Sequence, residues 1–260
     1  MRKGVIYVAT GRDYIALAVA SAVSLRSVEP GIAIDLYTGD PGAAGLEVFD
    51  QVHPVPVDHA RAKLECMALS RFERTLFLDA DTRVVGPLGD LFDLLARFDL
   101  AMAHDVRRAS DLIQAGHVAT PYAFPQLNSG VVLYRRSAEM LAFLGEWARR
   151  FHASRDARDQ IVLKDLLWES DLRFYVLPPE FNLRRMPMLD AWEPLDARPT
   201  VLHSHRFMDH MRGAGPQISD LGALIAAERA ALKAEWADVE AGSDPIGRFA
   251  LAQAQIKARE

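Results

Sequence analysis

The 260 residues make one large domain, or one domain with an appendage, and are too few for a second full domain of ordinary size. With 50% hydrophobic and 25% charged residues the composition is that of a globular protein with a sizeable core, which excludes disorder as its main character. Lys and Arg number 30 against 35 Asp and Glu, a net charge of -5, so there is no overall positive field for nucleic acid or an anionic membrane, and an anionic ligand must be held locally by a metal or a few placed cations.

Residues 5–9 (VIYVA) form a β-rich apolar run ending at Thr10-Gly11, and residues 13–28 follow as a helix. Ser21, Ser24, Arg26 and Ser27 interrupt that helix, which rules it out as a membrane span. Residues 33–37 read as a second strand, closed by the turn formers Thr38-Gly39-Asp40-Pro41-Gly42. Next come a helix over 61–70, a strand over 75–78, a helix over 89–97 opened by Gly89-Asp90, and a strand over 100–103. Residues 107–126 contain Gly116, Pro121 and Pro125 without a clear period and predict a long loop or short helices over one end of the sheet, the kind of segment that often carries function. A strand over 131–134 precedes an amphipathic helix over 137–151, whose Met140, Leu144, Trp147 and Phe151 fall on one core-facing stripe. A helix over 156–168, strands over 174–177 and 200–202, and a helix over 219–240 complete the chain; the last carries Leu221, Leu224, Ile225, Leu232, Trp236 and Val239. The alternation implies an α/β fold around a mostly parallel sheet.

Cys66 is the only cysteine, which excludes an internal disulfide and a multi-Cys zinc site and suits a reducing compartment. The start, MRKGVIYVATGRDY, reaches Gly11, Arg12 and Asp13 too early for a secretory signal, so a cytoplasmic protein without a transmembrane segment is expected.

The strongest chemical signal is TLFLDADTRVV, in which a buried strand runs into Asp79 and Asp81. Strand alternation puts both carboxylates on one side, where they repel unless a cation lies between them. Carboxylate oxygens favour Mg²⁺, Mn²⁺ or Ca²⁺ over soft metals and leave coordination positions for a phosphate-bearing ligand. A haloacid-dehalogenase-type phosphatase would need Thr four residues after the first Asp, where this chain has Arg83, with Thr82 at plus three.

Residues 63–92, KLECMALSRFERTLFLDADTRVVGPLGDLF, resemble the glycogenin and bacterial lipopolysaccharide galactosyltransferase family of retaining glycosyltransferases. Further matches follow in order: Thr10 and Tyr14 after the first strand, QLNSGVVLY at 126–134, Asp159-Gln160, LPPEFN at 177–182 and VLHSH at 201–205. Together they span roughly residues 4–206. The resemblance implies the GT-A fold, a Rossmann-like nucleotide-diphospho-sugar transferase architecture with a mostly parallel central sheet flanked by helices. It also implies metal-dependent transfer of a sugar from a nucleotide-diphosphate donor, a UDP-sugar, with retention, to a glycan, lipid-linked or protein acceptor. The transferase domain is then residues 1–215, and residues 216–260 are a helical extension packed on the domain or on a second subunit of a homodimer.

By the same resemblance Asp79, Asp81 and His203 hold Mn²⁺, or Mg²⁺, with Asp79 also touching the ribose. The residue chemistry agrees for His203, because imidazole suits Mn²⁺ and the residue ends an apolar strand. His205 falls on the same face if the strand continues. Thr10 and Tyr14 are expected to face the base, Lys63 to reach the donor phosphates or sugar, and Asn128, Ser129 and Gly130 to lie beside the donor sugar. Asp159 and Gln160 are expected near the anomeric carbon as the catalytic pair. Asp105 and Tyr122 are candidates for sugar or acceptor contact, with Phe124 beside them; for the two aromatics, anchoring of the loop is the simpler reading. Cys66 matches a packing position and carries no chemistry.

The chain departs from the family after His203. Members commonly continue with Gly and then Lys-Pro-Trp, whose lysine clamps the diphosphate, whereas this chain reads His203-Ser204-His205-Arg206-Phe207-Met208-Asp209. Arg206, or Arg212, is expected to supply the missing cation. Two other function classes stand beside the transferase: a non-catalytic nucleotide-sugar or carbohydrate-binding protein, and a sugar-1-phosphate nucleotidyltransferase. The latter would carry a Gly-rich basic loop where only Gly11-Arg12 stands.

Overall fold

The computed structural model describes residues 2–57, 59, 61–108 and 110–237. The chain begins with β1 (Lys3–Ala9), and α1 (Arg12–Val28) returns it to β2 (Ala33–Thr38) and β3 (Gln51–Pro54). Then come α2 (Lys63–Leu69), β4 (Arg74–Leu78), β5 (Thr82–Val84), β6 (Leu100–Ala103) and a short α3 (Ser110–Gln114). They are followed by β7 (Val131–Arg135), α4 (Ala138–Ala153), α5 (Asp159–Glu169), β8 (Phe174–Leu177), β9 (Val201–His203) and α6 (Leu221–Ala237).

Seven strands form one sheet in the order β3-β2-β1-β4-β7-β6-β8, and β5 and β9 form a small second sheet. Every pairing in the large sheet is parallel except those of β7, which runs against both β4 and β6. The α/β architecture with a mostly parallel sheet is therefore the one expected.

The apolar runs are continuous because the central strands are covered on both faces. Val5, Tyr7, Leu76 and Leu78 pack under α1 and the small sheet, while the alternate residues Ile6, Phe77, Val132 and Tyr134 pack under α2, α4 and α5. The predicted stripe of α4 is buried at Met140, Leu144 and Trp147, each such side chain contributing about 1.5–3 kcal/mol. Its first turn is capped by Ser137, whose Oγ accepts the Met140 N–H at 3.1 Å. The Trp147 indole donates to the Asp159 carbonyl at 3.0 Å and so anchors the start of α5.

The structure differs from the sequence reading in four places. Residues 91–96 form a 3-10 turn rather than an α-helix, since the stretch is only long enough to press Leu91, Phe92 and Leu95 onto the sheet. α5 starts at Asp159, with Arg158 extended before it. β3 ends in Pro54 and β5 has three residues, too short to show a period. An edge position accommodates the proline of β3.

α6 docks through Leu224, which joins the core alongside Phe207 and Met208, and through an Arg229–Asp190 ion pair. Residues 238–260 of the expected helical extension, Val239 among them, lie outside the described residues. Among the described residues no helix is long and apolar enough to cross a membrane.

Candidate active site

The parallel strands β1, β4 and β6 end at one edge of the sheet, at Thr10, Asp79 and Asp105. Because β7 runs the other way, the segment before it, Asn128-Ser129-Gly130, starts at that same edge. Two backbone bonds join the segment to its neighbours: Asp79 N–H to the Gly130 carbonyl and Asn128 N–H to the Ala103 carbonyl, both 2.8 Å. A cleft of about 390 Å³ opens here.

Asp79 and Asp81 lie in the turn between β4 and β5, not in an extended strand, so the turn rather than strand alternation brings them together. The Thr82 hydroxyl pins the turn by donating to the Asp79 carbonyl at 2.8 Å. Thr82 is in turn the end of a buried hydroxyl chain through Ser21 to Tyr7, with contacts of 2.7 and 3.0 Å. β9 pairs with β5 in the register Thr82↔His203, which carries His203 alongside. Ligand atoms of Asp79, Asp81 and His203 lie within 4.8 Å of one another.

The direction of the hydrogen bonds behind His203 follows from one backbone donor. Gly130 N–H can only donate, and it does so to Asn128 Oδ1 at 3.0 Å. Asn182 Nδ2 donates to the same oxygen at 2.9 Å, so Asn182 Oδ1 faces His203 Nδ1, also at 2.9 Å, and accepts its proton. With Nδ1 so engaged, His203 turns its Nε2 toward Asp81 Oδ1 at 3.2 Å. A nitrogen and a carboxylate oxygen at this distance need a proton or a metal ion between them, and the trio fits a hard divalent ion by donor type and by the orientation of the ring. Burial acts to raise the Asp81 pKa, but His203 and His205 outweigh it and hold the carboxyl well below its usual range. Gly130 is required here, since a Cβ would stand 2.1 Å from His203 Cε1 and 2.9 Å from Asp79 Oδ2.

Lys63, at the start of α2, is buried, and its ammonium contacts Asp79 Oδ1 at 3.3 Å, Asp159 Oδ2 at 3.5 Å and the Ser129 carbonyl at 3.0 Å. The Ser129 hydroxyl donates to Asp159 at 2.8 Å. Burial alone would raise the Asp159 pKa, yet Lys63 and then Arg61 bring it below the ordinary value, so the carboxylate is ionised. Gln160 donates to Asp105 Oδ2 at 2.6 Å and to the Leu127 carbonyl at 2.9 Å. Asp105 is itself buried behind the cleft wall.

Backbone superposition places this fold among known proteins. The glycosyltransferase GlyE of Streptococcus pneumoniae TIGR4 aligns with a TM-score of 0.55 at 20% identity, over 78% of this chain and 55% of GlyE. The galactosyltransferase LgtC, crystallised in complex with donor and acceptor sugar analogs, aligns at 0.53 and 15% identity over 78% of this chain and 87% of LgtC. The fold is the GT-A glycosyltransferase fold. Mouse xyloside xylosyltransferase 1 shares it at 0.51 and 14% identity, over 79% of this chain and 98% of that one. This GT-A chain spans about half the length of GlyE. No family model matches its sequence, and no curated protein does.

Of the residues singled out from the sequence, Thr10, Tyr14, Lys63, Asn128 and Ser129 line the cleft of this GT-A sheet. So do the trio Asp79, Asp81 and His203 and the pair Asp159 and Gln160. Tyr14 keeps 43% of its surface exposed at the cleft wall. β9 stops at His203, so His205 does not continue the strand; it opens a 3-10 turn, and its ring still reaches within 3.7 Å of Asp81 Oδ2. Arg206 and Tyr122 do not line the cleft. Arg206 instead pairs with Asp209 at 3.3 Å, while Arg212 is at the cleft. Phe124 packs against Trp168 and Phe174 as a loop anchor.

The sequence reading missed Asn182, although it sits in the LPPEFN match, and it missed the arginines Arg61, Arg107, Arg158 and Arg184 that line the cleft. No local period or spacing marks them. A second His/Glu group, His59 and His152 around Glu65, touches the same wall. The His59 Nδ1 lone pair already accepts the Arg61 N–H at 3.0 Å, so its Nε2 carries the proton and donates to Glu65, leaving that group short of a ligand.

Proposed function

We propose that this protein is a metal-dependent glycosyltransferase that takes a sugar from a nucleotide-diphosphate donor, a UDP-sugar, and passes it with retention to a glycan, lipid-linked or protein acceptor. The observation that carries the reading is the convergence of Asp79, Asp81 and a tautomer-fixed His203 at the carboxyl edge of a GT-A sheet. Mn²⁺ or Mg²⁺ bound by these three residues would offset the charge that develops on the departing diphosphate.

The chain's own groups do the rest. Tyr14 and Thr10 present a ring and a hydroxyl for the base at the β1 end of the cleft. Lys63 keeps Asp159 ionised and contacts Asp79, and Asn128 and Ser129 offer polar groups beside the sugar. Asp159, anionic and held by Ser129 and Lys63, is suited to stabilise oxocarbenium character at the anomeric carbon, with Gln160 held next to it by Asp105. Arg212 is the cleft residue suited to replace the missing lid lysine, since Arg206 is engaged by Asp209. A cytoplasmic location belongs to this reading, supported by the single, fully buried Cys66.

The test is the thermal midpoint with Mn²⁺ and UDP, followed by UDP release from a panel of UDP-sugars. Ligand at 100 times its Kd adds about 2.7 kcal/mol. Asp81→Asn should remove both the Mn²⁺-dependent shift and the release. The Arg206–Asp209 pairing favours a second reading, a binding protein of the same fold; it predicts the shift without release.

A further inference from the structure

The cleft gathers more positive charge than a donor diphosphate calls for, and the excess lies at one end. Arg107 follows β6, Arg158 directly precedes Asp159 at the start of α5, and Arg184 follows the 3-10 turn Pro179–Phe181. In the sheet β6 is two strands from β4, which leads into the metal trio, and three from β1, which leads to Thr10 and Tyr14. Arg107 therefore lies on the sugar and acceptor side of the cleft, and Asp105 ties Arg158 and Arg184 to it.

Their environment is incomplete. Arg107 Nε, Arg158 Nη1 and Arg184 Nε are buried nitrogens without a hydrogen-bond partner among the described residues. The Arg184 side chain is only 6% exposed, and its polar contacts among the described residues are the His205 ring, Nε2 at 2.7 Å and Nδ1 at 3.3 Å, and Asp105 Oδ1 at 3.9 Å. An unpaired buried donor on a charged group is costly, and these three, unlike the others of their kind in the fold, line one cleft where a ligand can satisfy them. Arg107 and Arg158 also stand close enough to repel: burial first, and then the Arg107 charge, lower the Arg158 pKa. Asp105 is the buried carboxylate that faces all three, with Asp111 at the surface, and Asp159 is already matched by Lys63. Three guanidiniums around one buried carboxylate leave a net positive pocket, as the Asp79–Asp81 pair leaves a net negative one.

We infer that Arg107, Arg158 and Arg184 form an anion subsite that binds a carboxylate or phosphate carried by the substrate on the sugar side of the reaction, either on the donor sugar or on the acceptor. Guanidinium groups bind both anions bidentately, and the orphaned N–H groups are the donors such a group would satisfy. The inference rests on the transferase reading for the orientation of the cleft.

The experiment is calorimetric titration of the full chain with Mn²⁺, using matched pairs: UDP-glucuronate against UDP-glucose, and UDP-galacturonate against UDP-galactose. Free glucuronate, glucose 6-phosphate and glucose are titrated in parallel, with and without UDP. A donor-borne anion gives a preference of roughly tenfold or more for the UDP-uronate of a pair. An acceptor-borne anion gives equal donors and the same preference for glucuronate or glucose 6-phosphate over glucose. In either case the preference falls to near unity in Arg158→Gln, and in Arg107→Gln should the first variant not fold. Equal affinity within every pair overturns the inference. So does a uniform loss of UDP and UDP-sugar affinity in the variants with the ratios unchanged, which would assign the arginines to the diphosphate. Failure of UDP to bind would instead sink the transferase reading, and the free acids against glucose would still decide whether the subsite exists.

Discussion

Asn182 accepts the Nδ1 proton of His203 at 2.9 Å, and through that one bond it decides which ring nitrogen of the histidine faces the carboxylates. The bond belongs to a relay that starts at the Gly130 N–H and passes through Asn128, so its polarity is fixed by the backbone of the loop before β7. A residue outside the acidic motif thus prepares the motif for a cation.

Asn182→Ala should lower Mn²⁺ affinity by roughly 10–100-fold while the trio itself is untouched. Titration of Mn²⁺ into variant and parent, with circular dichroism to check the fold, tests this. Unchanged affinity would remove the orienting role.

Gly130→Ala asks the same question sterically. The new methyl would meet the His203 ring and Asp79 at once, with the ring atom only 2.1 Å away. Overpacking at such a place costs about 1–3 kcal/mol. The expected result is a lower thermal midpoint together with loss of the Mn²⁺-dependent shift. A variant as stable and as responsive as the parent would mean that the ring is free to move aside.

Lys63 and Asp159 form a buried pair in which each holds the other's charge. The Asp159 pKa is depressed, so its contribution is present above the unfolded carboxylate value near ~3.9 and is lost as pH falls through the folded value. For Lys63, burial lowers the pKa but Asp159 and Asp79 raise it overall, so its contribution is present below the unfolded value near ~10.4 and lost as pH rises through the folded one. Between these limits the pair gives the parent a flat stability profile. Lys63→Met leaves the buried Asp159 without its nearest cation and should cost about 3–5 kcal/mol near neutral pH. Denaturant midpoints measured across the pH range should show part of that loss recovered on acidification, the opposite slope to a depressed carboxylate.

Tyr14→Ala should weaken UDP binding by about 1–3 kcal/mol, the usual worth of an aromatic ring stacked on a base, with Mn²⁺ affinity unaffected. A calorimetric comparison of UDP with Mn²⁺ alone separates the two. Equal loss of both would point to a folding defect instead.

Cys66 should be inert in the native protein. It has no exposed surface, and burial pushes its thiol up to about 12. A thiol-reactive chromogen at pH 8 should report no label on the folded chain and one equivalent, from the single cysteine, in denaturant. Rapid native labelling would show that α2 opens readily.

Much of this protein is written locally. Continuous apolar runs at 5–9, 75–78 and 131–134 determined the central strands, because a strand covered on both faces has no other composition available. The stripe Met140, Leu144 and Trp147 determined the buried face of α4 by its period. Two carboxylates directly after an apolar strand already called for a cation. The tertiary structure decided what depends on partners distant in sequence. β5 and β9 are three residues each and exist only because they pair with one another across more than a hundred residues of chain, and that pairing is what delivers His203 to Asp81. The reversal of β7 places Asn128-Ser129-Gly130 beside Asp79, a matter of strand direction on which an apolar run is silent. Arg107, Arg158 and Arg184 look like surface charges one at a time; only their convergence on one wall, with nitrogens buried and unpaired, makes them a site, because electrostatic need is a property of the neighbourhood and not of the residue.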